Sequence, residues 1–243
     1  MGLIVIVAAG ALAAGYVSGL AGFGTGLVAL GFWLHAIDPL LAAPLVAICS
    51  IVGQVQSLVS LRRNIRFARL WPFLIGGLAG VPAGVALLER LDVATFRAVV
   101  GLFLIVYCAA MLAARRLPVV AWGGRTADGA VGLAGGVMGG TAGLSGPLPT
   151  IWCGLRGWAK DDQRAVYQPF NLAVLSLALA AYATQGFVTA TVIELALVCL
   201  PATLLGVWLG LKSYGRVKDR QFQLLVLWLL LASGVVLAVS NLL

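Results

Sequence analysis

The chain has 243 residues, 62% of them hydrophobic and only 10% charged, with a formal net charge of +8. A soluble domain of this length cannot bury so much apolar surface, so a water-soluble globular fold is excluded. The charge does not point to nucleic acid either. The basic residues sit in short clusters between apolar segments, where the positive-inside rule places them at cytoplasmic membrane ends.

Taken in chain order, the first apolar segment, 2–34, has no basic run ahead of Gly2, unlike a cleaved signal peptide. It is interrupted by SGLAGFGTGL at 18–27, and the only histidine, His35, caps or ends it ahead of Asp38 and Pro39. Segments 39–61, 70–88 and 93–114 follow. A polar stretch at 117–128 then leads to 129–153, which GGTAGLSGPLP at 139–149 interrupts. Segments 165–184, 190–211 and 221–242 complete the chain. Most of these run near the ~20 residues that cross ~30 Å of hydrocarbon, so the chain reads as an all-α polytopic membrane protein. Cys49, Cys108, Cys153 and Cys199 are scattered without CxxC spacing and read as small buried hydrophobes. No cofactor or metal is implied. No serine–histidine or paired-acid constellation and no nucleotide-binding motif is present, which argues against an enzyme and against direct ATP hydrolysis.

The chain is written twice. Gly19, Ala21, Gly22 and Leu27 match Gly140, Ala142, Gly143 and Leu148 at an offset of 121. Gly80, Val81, Gly84 and Phe96 match Gly206, Val207, Gly210 and Phe222 at an offset of 126. Two similar offsets indicate a duplicated half-chain. Residues 1–116 form the first repeat, 117–128 a cytoplasmic linker and 129–243 the second repeat.

Charge sets the orientation of the halves. Arg62, Arg63, Arg66 and Arg69 fill one loop, whereas its equivalent at 183–190 carries no charge. Glu89, Arg90, Asp92 and Arg97 cancel, whereas their equivalent holds Lys212, Arg216, Lys218 and Arg220 against Asp219. If basic loops face the cytoplasm, the second half is inverted relative to the first. Inversion needs an odd number of crossings per half. Each half is therefore expected to be a broken or re-entrant helical hairpin followed by three transmembrane helices. Basic residues on both flanks of 129–153 (Arg115, Arg116 and Arg125 on one side, Arg156, Lys160 and Arg164 on the other) agree with this. One ordinary crossing per segment would put the 62–69 and 212–220 clusters on opposite sides, against the rule.

Irregular backbone at membrane depth survives only where protein or a watered cavity surrounds it. The start of a restarted helix offers unpaired N–H groups and a positive dipole end, an anion site that needs no buried cation. Candidate substrate-binding residues are therefore Gly22, Gly24, Thr25 and Gly26 in the first break, and Gly143, Ser145, Gly146 and Thr150 in the second. Pro147 suits the first turn of a helix. Among polar residues in apolar segments, Gln54, Gln168 and Asn171 are either helix–helix glue or substrate contacts. Gly76, Gly80, Gly84, Gly206 and Gly210 read as close-packing positions. Glu194 is either a proton-coupling group or an interfacial acid.

The stretch GGVMGGTAGLSGPLPTIWCGLRGWAKDDQRAVYQPFNLAVLSL, with GLAGFGTGLVALGF in the first half, resembles the TauE/SafE sulfite-exporter family of bacterial membrane transporters. The resemblance covers essentially the whole chain. It implies movement of sulfite or small organosulfonate anions across the bacterial cytoplasmic (inner) membrane, with the basic loops inside. GFGTG and SGPLP have fewer consecutive glycines than the family pattern, so Thr25, Ser145 and Leu148 are positions where substrate would be tuned. The expected function is a secondary transporter of a small anion, an anion channel of the same architecture being the rival. Expected partners are the anion, the lipid bilayer, protons and a second copy of the chain, with no nucleic acid.

Overall fold

The computed structural model describes residues 2–59, 67–113 and 119–213, and from the last segment 227–228, 230–232, 234–235 and 238–239. Arg62, Arg63, Arg66, Arg115, Arg116, Arg216, Lys218, Asp219 and Arg220, with part of the 221–242 segment, lie outside the described residues. Helices account for nearly all the rest: α1 (Gly2–Ala21), α2 (Thr25–Trp33), α3 (Pro39–Leu58), α4 (Phe67–Arg90), α5 (Val93–Ala113), α6 (Gly124–Ala142), α7 (Pro147–Leu155), α8 (Lys160–Thr184) and α9 (Ala190–Ser213). The described residues at 227–239 are helical as well. Among the described residues, six helices are long and apolar enough to cross a membrane: α1, α3, α4, α5, α8 and α9. Their outward faces carry large apolar side chains such as Trp71, Leu102, Leu197 and Trp208, all exposed. A contiguous surface of that kind suits lipid and not water.

The first segment breaks where the glycines stand. After α1 the chain turns at residues 22–24 and α2 folds back along it, so that Trp33 Nε1 donates to Val7 O at 3.0 Å. The second half repeats the device. Trp152 Nε1 on α7 donates to Asp128 Oδ1 on α6 at 2.6 Å, and Val7 and Asp128 are 121 residues apart. In both halves the break comes at the end of a long helix rather than midway through the segment: α1 has 20 residues and α2 only 9. The α6 helix starts at Gly124, inside the stretch read as linker. His35 lies in the turn between α2 and α3. Partial burial and the nearby Arg97 guanidinium hold its imidazole pKa below the ordinary value.

Glycine decides which helices pair. α1 lies along α9, and α4 along α6. A Cβ added at Gly206 would strike Leu12 O, and one at Gly210 would strike Tyr16 O. In the other pair Gly80 meets Leu133 O and Gly84 meets Val137 O. These two sets are related residue by residue by the offsets 126 and 121. Gly15 and Gly19 close on the Thr203 and Val207 carbonyls, as Gly136 and Gly140 close on those of Gly77 and Val81. Residue numbers rise together along each pair, so both pairs are parallel. Backbones this close gain dispersion contacts that any side chain would prevent. Each half thus packs its first helix on a long helix of the other half.

Two further contacts orient the remainder. Gly53 of α3 lies against Val207 and Thr203 of α9. The α4 helix runs along α8, with Arg69 paired to Asp162 at 2.9 Å and the Phe73 and Phe170 rings 6.4 Å apart. Arg69 also stacks over Trp158, 4.8 Å from the ring centroid. All four cysteines are buried and free.

Candidate functional site

Both breaks open with the same backbone move. Gly22 and Gly143, 121 residues apart, have φ of 82° and 69°. This left-handed conformation clashes with a Cβ and is the usual glycine C-cap. Gly22 N–H donates to Ser18 O at 2.7 Å, while Gly143 N–H donates to Gly139 O at 2.9 Å and Leu144 N–H to Met138 O at 3.2 Å.

The restarts that follow differ in their donors. A helix's first turn has N–H groups without partners in that helix. In α2 these belong to Thr25, Gly26 and Leu27, the first closing bond being Val28 N–H to Gly24 O at 3.1 Å. In α7, Pro147 and Pro149 carry no N–H, so of its first three residues Leu148 alone can donate. Side chains make up the difference there. Ser145 Oγ donates to Asn171 Oδ1 at 2.9 Å. This turns the Asn171 amide so that Nδ2, a donor, lies beside Gly146.

The two restarts meet around a small cavity of about 20 Å³, room for about one water molecule. Its wall is built in pairs 121 residues apart: Gly24 with Ser145, Thr25 with Gly146, Gly26 with Pro147, Ser50 with Asn171, and Gln54 with Leu175. Leu27, Gly143 and Leu144 complete it. Of the residues expected to bind substrate, the structure therefore brings together Gly24, Thr25, Gly26, Gln54, Gly143, Ser145, Gly146 and Asn171. The others stand off the wall. Gly22 sits behind it and accepts from Gln54 Nε2 at 3.2 Å. Thr150 Oγ1 donates to Gly146 O, one turn back on its own helix, at 2.8 Å. Gln168 is buried, with Oε1 unpartnered, and a Cβ at Gly22 would strike its Nε2. Glu194 is exposed near the start of α9, away from the cavity.

The ends of α1 and α6 also point toward the breaks, and a helix C-terminus is the negative end of its dipole. At α1 that end is covered. Arg164, only 7% exposed, donates to Leu20 O at 2.7 Å and Gly19 O at 3.3 Å. Tyr167 OH donates to Ala21 O at 2.7 Å. At α6, Tyr182 OH donates to Gly140 O at 2.6 Å. Donors on these carbonyls offset the negative ends of α1 and α6, while the positive starts of α2 and α7 face the cavity. Arg164, read from sequence as a loop charge flanking 129–153, is a buried part of α8. The signal for it was present: Arg164, Gln168 and Asn171 are four and three apart, on one helix face.

No curated protein and no solved structure gives a significant match to the chain. The profile of the family described as Sulfite exporter TauE/SafE matches residues 6–237, which takes in both breaks and the cavity between them. The chain belongs to the sulfite exporter TauE/SafE family.

Proposed function

We propose that the chain is a secondary transporter that exports a small oxyanion, such as sulfite or an organosulfonate, by alternating access around the cavity between the two breaks. The observation that carries this reading is the cavity wall itself: two helix starts, brought face to face, with five pairs of wall residues 121 apart. A site shared equally by two halves is one that rocking of the halves can open to either side in turn.

The halves are read as inverted copies. Support comes from helix direction. α1, α3 and α9 run parallel, and so do α4, α6 and α8. The short connection 185–189 turns α9 back from α8, so the two sets oppose each other. Helix α1 and its equivalent α6 then point opposite ways, which agrees with the opposite basic character of equivalent loops. With α2 folded back along α1, each hairpin returns to the side from which it came. The expected location is the bacterial cytoplasmic membrane.

The anion would be held by the N–H groups at the start of α2, by the Leu148 N–H, by Thr25 Oγ1 and by Asn171 Nδ2. The rival reading is an anion channel of the same architecture, which non-saturating flux would favour. A thermal-shift screen of the purified protein against sulfite, sulfate, thiosulfate, sulfoacetate, taurine and simple carboxylates tests the reading. One or more oxyanions should raise Tm, and Asn171→Ala and Ser145→Ala should weaken that ligand about tenfold each, the worth of one lost hydrogen bond. Thr150→Ala, whose hydroxyl serves its own helix, should leave binding unchanged. If both cavity variants bind like the parent, the site lies elsewhere.

A further inference from the structure

The two sides of the cavity share a backbone plan and differ in one telling side chain. Gln54 on α3 has Leu175 as its counterpart on α8. Gln54 is 2% exposed, its Nε2 donates to Gly22 O, and its Oε1 has no partner. Chemistry fixes which amide atom faces Gly22, because a carbonyl oxygen can only accept. Turning the amide over would set two acceptors against each other. Oε1 is therefore a buried acceptor, on a residue of the cavity wall, to which no group among the described residues donates. Such a group is costly unless a ligand supplies the missing hydrogen. Thr25 Oγ1, 3% exposed, is also unpartnered.

The other polar groups on the wall include donors, the N–H groups starting α2 and Asn171 Nδ2, and the Thr25 and Ser50 hydroxyls, which can donate or accept. A fully deprotonated oxyanion carries acceptors only. It would satisfy those donors and bring its own lone pairs against Oε1. A singly protonated oxyanion carries both kinds of group. We propose that the cavity selects the monoprotonated form of its substrate, hydrogensulfite rather than sulfite. The O–H is donated to Gln54 Oε1, and the charged oxygens sit on the α2 N–H groups and on Asn171 Nδ2. Desolvation favours the same form, since the cost of burying an ion rises with the square of its charge. The proposal rests on the transporter reading of this cavity and refines it. One consequence is that the proton crosses on the anion itself, so a coupling acid such as Glu194 is not required for proton movement.

The test is counterflow of labelled sulfite into proteoliposomes holding the full chain, across the pH range in which hydrogensulfite gives way to sulfite. Methanesulfonate, a monoanion with no O–H at these pH values, serves as a weaker competing anion, its methyl group rather than a lone pair facing Gln54 Oε1. The half-saturating concentration of total sulfite should rise about tenfold per pH unit above the substrate's own pKa, and stay constant when expressed as hydrogensulfite. The inhibition constant of methanesulfonate should not change with pH. In Gln54→Leu the preference for the protonated form should disappear. The proposal is overturned if half-saturation is constant over this range or improves as the dianion accumulates. It is overturned equally if methanesulfonate shows the same pH dependence as sulfite, because a protein group would then be titrating. Saturable exchange with the wrong pH dependence sinks this inference alone. Absence of saturable exchange of any oxyanion at every pH sinks the transporter reading with it.

Discussion

Arg164 would serve the proposed anion site without touching the anion. Its guanidinium reaches back to the Gly19 and Leu20 carbonyls, at the negative end of α1. Arg164→Ala would leave those carbonyls buried and short of donors, at a cost of about 3 kcal/mol or more. The expected outcome is a clear fall in Tm in detergent, partly restored by Arg164→Lys, which keeps one charge but loses the forked geometry. A Tm unchanged in Arg164→Ala would mean that water replaces the clamp. Residues of this class were only partly legible in the sequence. Gln54 and Asn171 stood out because an amide inside an apolar run is conspicuous. Arg164 did not, because it follows Lys160, Asp161 and Asp162 and so looks like one more charge on a loop. Thr150 and Gln168 were singled out by residue type. Their rotation about the helix axis places the first on its own backbone and the second behind the wall.

At the scale of the helix, glycine spacing controls assembly. Gly80 and Gly84 on α4, and Gly206 and Gly210 on α9, let partner backbones approach to a distance no Cβ allows. Gly80→Leu or Gly206→Leu should destabilise by about 1–3 kcal/mol through overpacking, or more where the backbone cannot yield. Gly2→Ala, with nothing within 4 Å of the new carbon, should have no effect. Tm measurements on the three variants in one detergent check this. Equal Tm in all three would show that the helix pairs are looser than their glycines imply. The sequence announced this packing through a spacing of four, yet it could not name the partners. Which helix lies against Gly80 is a property of the assembled halves, and α6 is more than forty residues away in the chain. The position of the breaks was legible as well, because Gly22 and Gly143 are glycines where a helix must end in a left-handed turn. Their place at the end of a 20-residue helix was not, since hydropathy registers apolar length and not the point where the chain folds back.

For the whole molecule, two alignments in the sequence point to a duplication. Its consequence for packing, first helix of one half on a long helix of the other, appears only in three dimensions. That exchange places the breaks opposite each other and makes the cavity common property of both halves. The central claim is that an oxyanion is held there and exposed alternately to the two sides. Counterflow of labelled sulfite in proteoliposomes addresses it most directly, comparing the parent chain with Gly146→Leu, which fills the space beside Phe23 and Asn171 Nδ2. The account predicts saturable uptake, accelerated by unlabelled sulfite inside, and its loss in a Gly146→Leu protein that still shows a cooperative thermal transition. Flux that rises linearly with concentration, or that the substitution leaves untouched, would contradict it.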